Sequence, residues 1–339
     1  MFDSAYRRAN FPVVRPDWLA LTREVVLDPD RAIVDAHHHL WDEPSAPYGS
    51  TELAADVEAG HRITDTVYIE AKSRFLAMGP EHLRPIGEVA FAASARSSET
   101  SARLCSAIVG YADLARGDAV AEVLEAEVEA GQGRFRGVRA RAAWHADPNL
   151  APPAESPMPG LLADAGFRCG AKVLARMGLT LDIWVFHTQL AEVTALAGAL
   201  PELGLVVNHC GGPLGVGPFK GRRSEVFDRW RADLRDVAAQ PNCRLKLGGL
   251  GMPRIGFTFH EAPEPPDSET LAEAWHPYID AGIAAFGPSR CMFESNFPVD
   301  KGMMSYRVLW NAFKRLTMSY GQEEKQALFS GTAKDFYRI

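Results

Sequence analysis

The sequence predicts an α/β fold, a single distorted (β/α)8 barrel of the TIM type. Three observations lead there: eight short β-rich apolar runs, helical periodicity between several of them, and a consistent asymmetry of loop length. The runs cover 33–35, 66–70, 107–111, 137–141, 181–186, 205–208, 244–247 and 291–294. Segments 119–130, 189–199, 225–239, 271–286 and 308–320 place apolar residues three and four apart, the spacing of a helix with one buried face. Alternating strands and helices imply parallel pairing through crossovers, and eight such units suggest closure into a barrel. An open doubly wound sheet is the structural alternative, but no glycine-rich phosphate loop follows the first strand to favour it.

Helix-to-strand connections are short: Pro201-Glu202-Leu203-Gly204, Gln240-Pro241-Asn242 and Gly287-Pro288-Ser289. Strand-to-helix connections are long and irregular, as over 38–48, 144–160, 211–223 and 248–268. In a (β/α)8 barrel the long loops gather at the C-terminal rim, where functional residues sit. The last two loops are rich in Gly and Pro but flanked by clear elements, so they read as ordered substrate loops. Residues 1–29 are expected to form an N-terminal extension packed on the barrel, and 30–339 the barrel itself.

At 339 residues, 47% hydrophobic and 23% charged, the chain is globular and long enough for a large core. A net charge of -7 argues against a nucleic-acid surface, which needs a basic excess. The five cysteines are odd in number, widely spaced and free of CxxC pairs, which fits a reducing cytosol and inert core thiols better than disulfides. The first twenty residues lack the apolar stretch of a secretory signal, and no run of about 18 apolar residues occurs. The expectation is a soluble, cytoplasmic protein acting on a small molecule, without nucleic-acid or membrane partners; a homo-oligomer is left open.

The sharpest chemical feature is Asp35-Ala36-His37-His38-His39. Residues two apart on a strand share a face, so His37 and His39 point together and His38 points away. Neutral imidazoles are the commonest ligands of zinc and similar ions. A polar strand end with satisfied histidines is the competing reading. His187 and His209 end the fifth and sixth runs. Either alone suggests a hydrogen-bonded rim histidine, but together with the first pair they would bring four imidazoles to one pole.

These residues carry a resemblance. DAHHHLWD (35–42), NHCGGP (208–213) and FESNFPVDK (293–301), with GVR (137–139) and KLGGL (246–250), resemble the amidohydrolase superfamily. More narrowly, they resemble the amidohydrolase-related branch that includes sugar-lactone and 2-pyrone-4,6-dicarboxylate lactonases. The resemblance implies a distorted barrel that hydrolyses esters, lactones or amides with one or two divalent metals. It implies metal-ligand roles for His37 and His39, and its strand-5 and strand-6 positions match His187 and His209. We accordingly expect His37, His39 and His187 as ligands of zinc or manganese, with His209 in catalysis.

One departure matters. The family's strand-8 aspartate, metal ligand and general base, is replaced by Asn296. An amide is a weaker, neutral ligand and takes no proton from water. Either the histidines do the acid–base work without metal, or another carboxylate substitutes, or catalysis is lost. The candidate carboxylates are Glu70, ending TVYIE, and Glu294, one step deeper than Asn296. The competing reading of Glu294 is an ion-pair partner, with Lys246 a candidate mate. Strand 4 has no lysine for a carbamate bridge, which favours one metal or none. Arg139 and Arg141 share a face; the resemblance implies that Arg139 holds a substrate carboxylate, and a strand-end ion pair is the alternative. Trp41, Trp144, His145, Arg222, Arg254 and His260 lie on rim loops as candidate pocket residues.

The expected chemistry is water attack on a lactone or ester carbonyl, less readily an amide, because an alkoxide leaves with less help than an amine. Non-oxidative decarboxylation of an aromatic acid and a non-catalytic binding barrel are the alternatives.

Overall fold

A computed structural model describes residues 11–44, 46–150 and 157–339. The first ten residues of the expected extension and residues 151–156 of the strand-4 loop lie outside the described residues. Eight strands form one sheet in the order β1 to β8: β1 Ile33–His38, β2 Ile63–Ile69, β3 Arg103–Gly110, β4 Phe135–Arg141, β5 Thr180–Trp184, β6 Leu205–Val207, β7 Cys243–Leu247 and β8 Cys291–Phe293. Every neighbouring pair from β1–β2 to β7–β8 is parallel. The seam closes through a parallel bridge between His38 and Phe297, with His39 N–H donating to Phe297 O and Asn296 N–H to His37 O. All eight expected strands are present, and the structure is a (β/α)8 barrel. No described helix is long and apolar enough to cross a membrane.

The expected helices are present with shifted ends, and six more lie among the described residues: Pro16–Leu19, Ser50–Val57, Ile86–Ser94, Ala165–Arg176, Gln322–Gln326 and the C-terminal Thr332–Tyr337. Ser50–Val57 and Ile86–Ser94 are rich in alanine, which blurs the apolar stripe that periodicity detects. Leucines and valines facing outward from the strands form the main core with the surrounding helices. Inside the barrel, Val34, Ala36, Val67, Ile69, Ala107, Val109, Val206 and Met292 pack on Ala333, Phe336 and Tyr337. The C-terminal helix therefore closes the barrel floor with apolar surface. At the other side of this plug the interior turns polar, and there the candidate site begins.

The N-terminal segment from residue 11 runs along the barrel. Trp18 Nε1–H donates to Ala262 O, Thr22 Oγ1–H to Pro265 O, and Lys314 Nζ to the carbonyls of Leu27 and Asp28. The segment thus ties the β7 loop to the helix Tyr306–Leu316.

Candidate active site

A register shift in β1 between Asp35 and His38 breaks strict alternation, so Ala36 and His37 both serve the interior while His38 turns outward to Thr66 Oγ1 at 2.9 Å. Asp35 pins this irregularity. Its carboxylate accepts from Ser295 N–H, Ser295 Oγ and Tyr306 OH at 2.9, 2.6 and 3.0 Å, which locks β1 to the end of β8. Burial lifts its carboxyl to about 6 against these bonds.

His37 and His39 do share a face, as the strand period requires. Their Nε2 atoms lie 3.2 Å apart. His39 Nδ1–H donates to Ile69 O at 2.8 Å, and His37 Nδ1 lies 2.9 Å from Glu294 Oε2. Burial holds both imidazoles well below their ordinary range, with Lys246 next in effect on His37 and Arg139 on His39. With Nδ1–H of His39 turned to Ile69 O, the lone pair of His39 Nε2 faces His37 Nε2 across 3.2 Å. That arrangement is repulsive unless a cation or proton lies between them. Their Nδ1 atoms are anchored to oxygen as metal-binding imidazoles usually are. His37, His209 and Glu294 also offer one donor each within 4.8 Å of one another. The donor set fits a divalent ion of the zinc class.

His209 comes from the end of β6, and its ring centroid lies 4.5 Å from that of His37. Its Nδ1 is 2.7 Å from Glu294 Oε1, which also accepts from His209 N–H at 2.9 Å. Its backbone is in the left-handed region at φ 54, as is Asn296 at φ 55. Non-glycine residues seldom hold that conformation except where surroundings impose it, often at functional sites. The KLGGL glycines make room here. A Cβ at Gly248 would lie 2.5 Å from Glu294 Cγ, and one at Gly249 (φ +64) 2.5 Å from the His209 ring. Burial pushes Glu294 up to about 8, while burial with Arg139 and Lys246 keeps His209 well below its usual value.

Several expectations need correction. Glu70 is not a free base: Arg139 Nε and Arg141 Nε donate to its Oε1 at 2.7 and 2.6 Å, and Arg141 Nη2 donates to Oε2 at 2.9 Å. Burial alone would raise its pKa, but the two guanidinium groups outweigh that and hold it down at about 2. Arg139 forms the strand-end ion pair with Glu70, and its Nη1 lies 3.4 Å from His37 Nε2. Arg141 leaves 20% of its side chain exposed. Asn296 is a buckle, its Nδ2–H donating to Asp300 Oδ1 at 2.9 Å. His187 stands outside the cluster: Leu214 N–H donates to its Nδ1, and its ring packs 4.9 Å from Phe219. Arg222 pairs with Glu225 on the exposed start of helix Arg223–Ala238. Lys246 takes Asp182 as its ion partner at 2.8 Å, not Glu294.

Trp41 stacks near His39 at 6.2 Å, as a rim residue should. Trp144 is half-buried with its backbone N–H donating to Gln189 Oε1. Sequence reasoning missed Trp184, 4.8 Å from His209, and the buried Asp182 and Asp300. The signal available was parity: Asp182 and Trp184 alternate with the outward Leu181 and Ile183, as Lys246 does with Leu245 and Leu247.

The chain belongs to the amidohydrolase family, whose profile matches residues 34–339; its class is that of barrel enzymes of the amidohydrolase type. The uncharacterized protein y4mH of Sinorhizobium fredii is 32% identical, covering 91% of this chain and 99% of the relative. An L-fucono-1,5-lactonase of Burkholderia multivorans is 27% identical over 90% of this chain and 96% of its own length. The crystal structure of an amidohydrolase from Burkholderia multivorans with bound zinc superposes with a TM-score of 0.70 at 25% identity, covering 91% of this chain and 99% of that one.

Proposed function

We propose that this protein opens the ring of a small lactone, or cleaves a related ester, with His209 as the general base. The observation that carries this reading is the Glu294 carboxyl group set between the two rings, Oε1 at 2.7 Å from Nδ1 of His209 and Oε2 at 2.9 Å from Nδ1 of His37. With Nδ1–H of His209 turned to Glu294 Oε1, the lone pair sits on Nε2 and is available to take a proton. His209 takes the proton of water as the water oxygen bonds to the carbonyl carbon. The tetrahedral oxyanion collects charge beside Arg139 Nη1, whose guanidinium Glu70 has already oriented. Collapse breaks the ring C–O bond, and the imidazolium returns its proton to the departing alkoxide. Arg141, with its exposed edge, faces an acidic or hydroxylated substituent, and Trp41 borders the same pocket.

His37 and His39 would hold a zinc or manganese ion through their facing Nε2 atoms. Bound there, it supplies Lewis-acid polarisation of a carbonyl and acidifies water. All five cysteines are free, four of them buried, which supports a reducing compartment such as the cytoplasm.

The test is metal analysis of protein purified without chelator, followed by a panel of sugar and pyrone lactones and simple esters. Acid release from lactones, abolished in His209→Gln, is the expected result. Carbon dioxide release from aromatic acids, or turnover of nothing, would overturn the reading.

A further inference from the structure

The barrel interior contains a second tier of charge below the candidate site, and its deepest member comes from the C-terminal helix. Tyr337 is fully buried, and its hydroxyl lies 3.0 Å from both carboxylate oxygens of Asp182. Asp182 Oδ2 accepts from Lys246 Nζ at 2.8 Å and from Asn208 Nδ2 at 3.0 Å. Lys246 Nζ then lies 3.4 Å from Nδ1 of His37, the same nitrogen that faces Glu294. Asp182, Lys246 and His37 are all completely buried. The backbone of Tyr337 is itself held, its carbonyl accepting from Arg136 Nε at 2.5 Å.

We propose that Tyr337 is a positioning residue for His37, acting through Asp182 and Lys246, so that docking of the C-terminal helix sets the geometry of the site on the opposite side of the plug. Among the described residues, Asp182 Oδ1 receives a hydrogen bond from Tyr337 alone. A buried carboxylate oxygen stripped of its donor turns to find another. Turning Asp182 moves the ammonium it holds, since Lys246 is a flexible four-carbon stem whose place is set by its partner. Held where it is, Lys246 leaves His37 Nδ1 to Glu294 and the opposite nitrogen to the site. Released, it competes for Glu294 and rotates the imidazole. The inference rests on the proposed role of His37 for its consequence in catalysis, but the linkage itself is physical and can be read without substrate.

The experiment is ring-nitrogen NMR of protein labelled with 15N-histidine, the His37 signals being assigned by their loss in His37→Gln. Tyr337→Phe deletes one hydroxyl and keeps the ring that packs against the barrel floor. The expected result is a clear displacement of both His37 nitrogen signals, with His187 as an unmoved internal reference. On a lactone found by the panel above, kcat falls about tenfold with KM unchanged, the usual cost of losing an outer-shell partner. Should Tyr337→Phe not accumulate as folded protein, Asp182→Asn carries the same test one link nearer to His37. His37 signals that stay in place in the folded variant overturn the proposal and reduce Tyr337 to packing. Displaced signals with no lactone turned over by the wild type would keep the linkage and discard the lactonase reading instead.

Discussion

The two oxygens of Glu294 serve two imidazoles at once, Oε1 at 2.7 Å from Nδ1 of His209 and Oε2 at 2.9 Å from Nδ1 of His37. A single buried carboxyl group thus hydrogen-bonds one histidine, His209, and lies against the other. In Glu294→Gln one of the two oxygens becomes an NH2 donor, and a donor cannot accept from an imidazole N–H. The expected outcome is a fall in kcat of about 10²-fold or more with KM little changed. Steady-state kinetics on the best lactone of the panel measures it. A variant within a few-fold of the wild type would remove Glu294 from the mechanism.

Asn296 stands where the family resemblance leads one to expect aspartate, so restoring the acid looks like an improvement. The structure says otherwise. Asn296 Nδ2–H donates to Asp300 Oδ1 at 2.9 Å, and Asp300 is a buried carboxylate that burial already pushes well above its usual range. In Asn296→Asp two carboxyls meet with no donor between them unless one stays protonated. The variant is expected to lose on the order of 1–3 kcal/mol, more at pH 8 than at pH 5.5, and to gain no activity. Urea midpoints at both pH values decide it; higher activity or unchanged stability would show that the pocket accepts the acid.

Much of this architecture was legible because it is local. Strand period two put His37 and His39 on one face, and strand ends located His187 and His209 at the rim. Glu294, a charged residue in an apolar strand, announced itself in the same way. The partners were less legible. Glu70 looked like an available base because Arg139 and Arg141, which neutralise it, lie 69 and 71 positions away on a different strand. Tyr337 and Asp182 are 155 apart. Only closure of the barrel tells which of several inward charges meet, and it sets Arg139 against Glu70 and His37. The same closure sets His187 apart from the His37–His209 cluster, and the loop after β6 turns its Leu214 N–H onto the ring.

The Glu70 cluster makes its own prediction. Its folded pKa is about 2, below the ordinary 4.5 of glutamate, because two guanidinium groups face it. A depressed carboxyl stabilises the fold fully above pH 4.5, and the contribution is lost as pH falls toward 2. Glu70→Gln leaves both arginines without their counter-charge, Arg139 being almost wholly buried. It is expected to cost about 3 kcal/mol at pH 7, as removal of one partner of a buried pair does. The deficit relative to wild type should shrink between pH 5 and pH 3. A deficit that is constant over that range would mean the glutamate acts only as a shape.

Glu88 inverts that sign. Its Oε1 accepts from Tyr68 OH, Ala71 N–H and Ser73 N–H at 2.9, 2.8 and 2.8 Å, while Oε2 is buried without a partner. Burial, followed by the charge of Glu70, raises this carboxyl to about 7. A raised acid keeps its proton in the folded state, so the wild type loses stability as pH climbs from 4.5 to 7 and regains none above. Glu88→Gln preserves the carbonyl acceptor for all three donors and has no proton to lose. Its melting temperature relative to wild type should therefore rise from pH 5 to pH 8, by an amount corresponding to on the order of 3 kcal/mol for this size of shift. Thermal melts of both proteins at the two pH values measure it. A difference of the same size at pH 5 and pH 8 would mean that Glu88 is ionised throughout, with its charge compensated by a donor other than the three that reach Oε1.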